Sequence, residues 1–353
     1  MTSVGELRRR TLGELTRPSY SIHSMDMVLL NDNANLFGAN PAVDEVAEKF
    51  DFSRLWAYPS ESSADLRESI ASRFSVSPEE VIVGNGSDDL LDITSRCFLD
   101  SGDKMCSPSP TFGMYKFYAT LNLGMVCEKL LSKDFSLDPE AILAEDAKLN
   151  VICQPNNPTA NLFSPSSVKK VLAEARGVVI LDEAYSDFCG SDMLADAMSA
   201  QRTIDLRTFS KAYGIAGLRV GFAISRKEVI DELRRVRTPF GVNSFSEAVA
   251  MRAIDDRSWV EYVVSEVRKS AAYLKPRLER MGFIVHPTDC NFLLCRSPVP
   301  SAKLVSDLKG NGVAIRDCGA FPLLEQHVRI TLAPRAMLDV LLEKLERLIQ
   351  GGK

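Results

Sequence analysis

The 353-residue sequence holds only three histidines and not one C-x-x-C pair. Its eight cysteines (Cys97, Cys106, Cys127, Cys153, Cys189, Cys290, Cys295 and Cys318) therefore lack the companions and spacing of a zinc site or a disulfide framework. Most lie inside apolar segments such as VICQ and FLLC, and they read as small core residues in a reducing compartment. No apolar run reaches the roughly 18 residues that a membrane span requires. The opening stretch MTSVGELRRRTLGELTRPSY is charged and has no apolar core, so it is not a secretory leader and a cytoplasmic location is expected. Within it, GELRRRTLGEL reads as a short amphipathic arm or a solvated helix. Basic residues are not in excess: 42 Lys and Arg face 47 Asp and Glu, a formal charge of -5. That leaves no surplus to neutralise a phosphate backbone, which speaks against nucleic acid as a partner. Internal repeats, low-complexity tracts and long linkers are also missing.

What the sequence does have is an alternation of short apolar runs with helical patterns. EEVIVGNG precedes SDDLLDITSRCFL, and LNVICQPNNP precedes SPSSVKKVLAEAR. Then come GVVILDEAY, TIDLRTFS, and LRVGFAIS with KEVIDELRRVR. Runs of four to seven Val, Ile and Leu without polar alternation suit a sheet covered on both faces, hence an α/β architecture with a largely parallel sheet. Beyond about Thr238 the texture changes to one long helical segment, SFSEAVAMRAIDDRSWVEYVVSEVRKSAAYLKPRLERMG. The short strands FIVHP, NFLLCR, VAIRDC and HVRITL follow, with a closing helix from Ala336 to Gln350, as in a smaller α+β domain.

Three loops at the carboxyl ends of expected strands hold unusual residues, and open α/β sheets bind ligands there. They are QPNNPTAN, DEAYSDF and TFSKAYGIAGLR. Together they supply an amide, a carboxylate, a phenol, hydroxyls, an amine and a guanidinium, which suits a charged aromatic cofactor bearing a phosphate. Lys211 stands out, being flanked by Phe209, Ser210, Ala212 and Tyr213 rather than by other charges. A solvated surface lysine is the alternative.

NNPTA, LDEAY and SKAYGIAGLRVG, in this order, resemble the fold-type-I pyridoxal-phosphate aminotransferases. YPSESSADLRESIA, GNGSDD and SPTFGMY are similar to the histidinol-phosphate branch of that family. The resemblance runs from about Leu30 to the C-terminus. It implies a large three-layer α/β/α domain with a mostly parallel sheet over residues 41–240 and a small α+β domain over 241–353. An arm over residues 1–40 would join the small domain.

The same resemblance implies residue roles. Lys211 would bond to the aldehyde of pyridoxal 5'-phosphate and, once released, move a proton. Lysine suits this because desolvation lowers its proton affinity readily. Asp182 would face the pyridine nitrogen and keep it protonated, although Asp182-Glu183 could also cap a helix. Asn157 and Tyr185 would bond the phenolic oxygen, and an ordinary Asn-Pro turn is the other reading of Asn157. Ser210, Arg219 and Thr208 would hold the phosphate together with the free backbone N–H groups of Ser87 and Asp88. Phe112 would stack on the ring or else be a core residue. Tyr58 would reach the phosphate of a neighbouring subunit, making the protein a homodimer. Arg329 would take a substrate carboxylate and Arg316 a substrate phosphate, unless Arg316 is an edge-strand surface charge.

Two departures stand out: NANLFG replaces the usual NENP pattern, with Ala34 and Leu36 in place of the acid and the proline, and Ala160 replaces the glycine of NPTG. The expected activity is transfer of an amino group from a small-molecule donor, histidinol phosphate, to a 2-oxo acid, 2-oxoglutarate. A decarboxylase of the threonine-phosphate type, or an aminotransferase for aromatic or other amino acids, remains the alternative.

Overall fold

The structure is a computed structural model that describes residues 8–13, 15 and 26–350. Of the expected N-terminal arm, residues 1–7, 14 and 16–25 lie outside the described residues, and with them part of GELRRRTLGEL. A two-residue strand β1 (Val28–Leu29) runs from that segment and pairs in parallel with a strand near the other end of the chain.

The central sheet is built from β2 (Val81–Gly84), β3 (Lys104–Ser109), β4 (Met125–Leu130), β5 (Leu149–Cys153), β6 (Val178–Asp182), β7 (Thr203–Thr208) and β8 (Gly221–Ile224). Their spatial order is β2-β8-β7-β6-β5-β3-β4. Pairings from β7 through β6, β5 and β3 to β4 are parallel, and β8 runs antiparallel to both its neighbours. Every residue of β5, β6 and β7 is buried; β6 reads as an apolar run up to Asp182, whereas β5 also buries Asn150 and β7 buries Asp205 and Arg207 as an ion pair.

Helices cover both faces, because successive side chains of a strand point to opposite sides. Ile180 packs with Leu90, Leu91 and Leu233 on one face, while its neighbours Val179 and Leu181 pack with Val168, Val171 and Ala197 on the other. This is the three-layer α/β/α arrangement expected. Strands β3 and β4 carry no such sequence signal. Pro108 and two serines interrupt the first, and the second is a partly exposed edge strand with Glu128 and Lys129.

The long helical segment is in fact two helices, Ser244–Asp255 and Arg257–Arg280. Asp256 separates them, its side chain accepting a bond from the Trp259 amide at 3.2 Å to cap the second. An antiparallel sheet follows, β12-β13-β10-β9 in spatial order, from β9 (Ile284–Val285), β10 (Phe292–Arg296), β12 (Arg316–Asp317) and β13 (His327–Thr331). Strand β11 (Val313–Ala314) is the partner of β1. The closing helix spans Arg335–Gln350. Among the described residues no helix is long and apolar enough to cross a membrane.

Candidate active site

A cavity of about 620 Å³ opens at the carboxyl ends of β5, β6 and β7. Its wall contains twelve of the thirteen residues nominated from sequence: Lys211, Asp182, Tyr185, Asn157, Ser87, Asp88, Phe112, Thr208, Ser210, Arg219, Arg316 and Arg329. The thirteenth, Tyr58, lies elsewhere on the surface, 81% exposed and stacked on Phe240 at 4.7 Å.

Each strand end delivers one group. Strand β6 ends on Asp182, which is buried; Oδ2 accepts from the Tyr115 hydroxyl at 2.6 Å and Oδ1 from the Ala184 amide at 3.0 Å. Burial pushes its pKa up to about 6 despite these two donors. Three residues on, the Tyr185 hydroxyl accepts from Asn33 Nδ2 at 2.9 Å, and burial pushes this phenol well above its usual range.

Past the end of β7, the Lys211 amine donates to the Asp32 and Asn33 carbonyls, both at 3.3 Å. It lies 5.6 Å from the centre of the Tyr185 ring. Desolvation, with the nearby Arg329 guanidinium, brings its pKa down to about 8, so the structure favours a neutral amine much more than water does.

The ends of β6 and β7 are clamped from beneath. Arg207, the residue before Thr208, bonds Asp205 at 3.0 and 3.2 Å and pairs with Glu183, the residue after Asp182. Burial works against the Arg207 charge, but the two carboxylates outweigh it and hold the pKa up. Truncating either side of such a pair would strand an uncompensated buried charge.

Next to Lys211, Arg219 adopts left-handed backbone at φ 54° and sits 3.4 Å from Asp88. The helix Ser87–Phe98 begins there without a side-chain cap, so its first N–H groups face the cavity. Two glycines allow this approach. A Cβ on Gly86 would fall 2.6 Å from Arg219 Nη2, and one on Gly221 would fall 2.3 Å from the Ser87 nitrogen.

Opposite, Arg316 and Arg329 are direct partners across the antiparallel β12–β13 pair and both face the cavity. Arg329 bonds Asn157 Oδ1 and the Asn31 carbonyl at 2.6 Å each, while its buried Nε has no hydrogen-bond partner. Asn156, beside Asn157, is consumed by structure: it bonds Thr111, Thr159 and the Pro110 carbonyl.

Sequence reasoning missed Tyr115 and Asn33, whose partners lie 67 and 152 residues away in the chain. Cys153 and Cys318 are core residues, as expected, each 1% exposed, and they also border the cavity. Ala34, one of the noted departures, lines the cavity too. The other, Ala160, stands at φ 66° in the left-handed region that favours glycine, and is fully buried.

A parallel-rich three-layer sheet whose strand ends gather a desolvated lysine, a buried aspartate and an uncapped helix start beside an arginine defines a fold-type-I enzyme. The family model described as aminotransferase class I and II matches residues 25–345, and the chain belongs to that family. It is 36% identical to the histidinol-phosphate aminotransferase of Thermococcus gammatolerans over 92% of this chain and 93% of that protein. To the histidinol-phosphate aminotransferase of Methanocaldococcus jannaschii it is 32% identical over 94% of this chain and 91% of the other. Among solved structures, that of histidinol-phosphate aminotransferase from Sinorhizobium meliloti in complex with pyridoxal-5'-phosphate superposes with a TM-score of 0.85. At 24% identity over 92% of this chain and 91% of that one, this likeness speaks for the fold.

Proposed function

We propose that the protein is a pyridoxal-phosphate-dependent aminotransferase that converts L-histidinol phosphate and 2-oxoglutarate to imidazole acetol phosphate and L-glutamate. The observation that carries this reading is the pairing of Arg316 with Arg329 on one face of the small sheet, above a donor set suited to that cofactor. Histidinol phosphate has a phosphate and no carboxylate; glutamate has carboxylates and no phosphate. A site that serves both in turn needs cationic groups for each.

The donor set fits the cofactor by its chemistry. The Ser87 and Asp88 amides, Thr208, Ser210 and Arg219 form a cup for a phosphate, and the glycines at 86 and 221 keep that cup free of side chains. Asn157 and Tyr185 offer donors for a phenolic oxygen, Asp182 a charge for a ring nitrogen, and Phe112 a ring face. When bound, the cofactor supplies an electron sink for bond breaking at the substrate's amine-bearing carbon.

The protein's own groups do the rest. Lys211 would hold the cofactor aldehyde and, as an amine of lowered proton affinity, would carry a proton at Nζ. Arg316 binds the donor's phosphate, and Arg329 the acceptor's carboxylate, bidentately. The apolar wall, with Phe112, Phe117 and Phe321, excludes water around the amine.

We further infer the domain division given above, a cytoplasmic location and a homodimer. Tyr58, Trp56, Leu55 and Phe52 are exposed apolar side chains within seven residues of each other, 81, 84, 57 and 53% accessible, which supports burial against a second copy. Tyr58 would then complete the neighbouring site.

A decarboxylase reading is not favoured, because relatives sharing about a third of their residues over nearly the whole chain are aminotransferases. Incubating the purified protein with histidinol phosphate, threonine phosphate and aromatic amino acids, each with 2-oxoglutarate, tests the proposal. Glutamate is expected with histidinol phosphate. Carbon dioxide from threonine phosphate, or no turnover of histidinol phosphate, refutes it.

A further inference from the structure

Tyr115 is the second residue of the helix Met114–Leu121 and is 1% exposed. A phenol so buried requires a partner for its hydroxyl, and this one finds Asp182 Oδ2 at 2.6 Å. The Ala184 amide holds the other carboxylate oxygen at 3.0 Å. Two donors on different oxygens, from separate segments of chain, fix the plane of the carboxylate. The Tyr115 ring also meets Phe112 edge-on, with centroids 5.5 Å apart and an interplanar angle of 84°. One side chain thus braces both the carboxylate and the aromatic ring that face the cavity.

We propose that Tyr115 is a positioning residue for Asp182, keeping the carboxylate charged and in the plane that addresses a cofactor ring nitrogen. This rests on the reading of the site under Proposed function. A hydrogen bond donated to a carboxylate stabilises its charged form. Most of the surroundings act the other way: burial, Asp88 at the start of the helix Ser87–Phe98, and Asp205 on β7 all favour the protonated acid. Cys153 on β5 faces the same phenol as a neutral thiol. The cations Lys211 and Arg219 line the same cavity. The groups bonded to the carboxylate itself are the Tyr115 hydroxyl and a backbone amide, and of these only the hydroxyl can be removed by substitution.

The test is Tyr115→Phe, which deletes one oxygen and keeps the ring against Phe112. Cofactor affinity of the full-length variant should fall about ten- to a hundredfold at neutral pH, as for loss of a hydrogen bond to a charged group. The deficit should widen as pH falls, because Asp182 now takes up its proton earlier. Carboxyl-13C spectra of aspartate-labelled protein, with the resonance assigned by Asp182→Asn, should show the Asp182 titration move upward from about 6. In an Asp182→Asn background, Tyr115→Phe should change cofactor affinity by less than about twofold.

Parent-like affinity with an unchanged pH profile overturns the proposal, and so does an equal loss in the Asp182→Asn background, which would mark a purely structural role. Should Tyr115→Phe not fold, the parent holoenzyme decides: Asp182 should be charged at pH 7 and above, about a unit over its pKa of about 6, and its protonation at neutrality overturns the idea. A parent that binds no cofactor would refute the functional reading alone, since the carboxyl titration in parent and variant still reports on Tyr115.

Discussion

Replacing Gly221 by alanine puts one methyl group where the structure has no room. Gly221 pairs with Thr208 on one side and Gly84 on the other, in the middle of three strands. Its added Cβ would lie 2.3 Å from the Ser87 nitrogen and 2.5 Å from the Gly86 carbonyl carbon, both backbone atoms. Ordinary contact needs about 3.4 Å or more, so the start of the helix Ser87–Phe98 must retreat by about 1 Å. That helix is anchored by buried Leu90, Leu91 and Ile93 and cannot slide freely. Overpacking of this kind costs about 1 to 3 kcal/mol. At the upper end, a chain of 353 residues loses about 4 °C of melting temperature.

Gly217 is the matched control, because its Cβ would meet nothing within 4 Å. Gly217→Ala should stay within about 0.5 kcal/mol of the parent. Thermal melts of the three proteins without cofactor read the steric cost. Cofactor titration then reads the displaced Ser87 and Asp88 amides, so Gly221→Ala should also bind more weakly. A Gly221→Ala protein that melts with the parent and binds like it refutes the account of the phosphate cup.

Borohydride reduction of the cofactor-loaded protein should fix the label on Lys211 alone, and label on another lysine would remove Lys211 from its role. Because that amine is held near a pKa of about 8, it is largely protonated at pH 7 and neutral above pH 9. The rate of cofactor capture should therefore rise about fivefold from pH 7 to 8 and level off beyond 9 in stopped-flow absorbance, whereas a rise continuing past pH 10 contradicts the desolvation argument. Asp182→Asn should keep the fold by circular dichroism and lose turnover by orders of magnitude; near-parent activity counts against its role. Mixing inactive Lys211→Ala with inactive Tyr58→Ala should restore activity if sites are shared between copies, and heterodimers without activity would exclude that. Arg316→Ala should weaken the half-reaction with histidinol phosphate by tens-fold or more, as for a lost charged contact of about 2 to 5 kcal/mol, and leave the 2-oxoglutarate half less affected.

The layers of the fold were legible where burial left an apolar signature, as in Val81–Val83 of β2 and Val178–Leu181 of β6. They were not legible in β3, where Pro108 sits inside a strand, or at Asp256, where a capping side chain ends one helix and starts the next. Asn157, Tyr185, Ser210 and Lys211 lie on short turns after strands, and Asp182 and Thr208 close their strands, so local motif and location coincide; Arg316 and Arg329 sit within strands β12 and β13, where only the resemblance marked them out. Tyr115 and Asn33 escaped because their meaning resides in a partner far along the chain. A phenol on a short helix and an asparagine in an irregular loop look the same whether they touch a carboxylate, another side chain or water.

The adjacency of Arg316 and Arg329 has a kinetic consequence. The molecule as a whole is an anion, with a formal charge of -5, yet two guanidinium side chains on paired backbone positions line one cavity together with Arg219 and Lys211. A local positive potential inside a negative envelope focuses field lines on the opening. Doubly charged phosphates and dicarboxylates would be repelled by most of the surface and drawn in at one place. Capture would then slow as salt rises, because screening over about 8 Å at physiological ionic strength erases the funnel before it weakens the bound contacts.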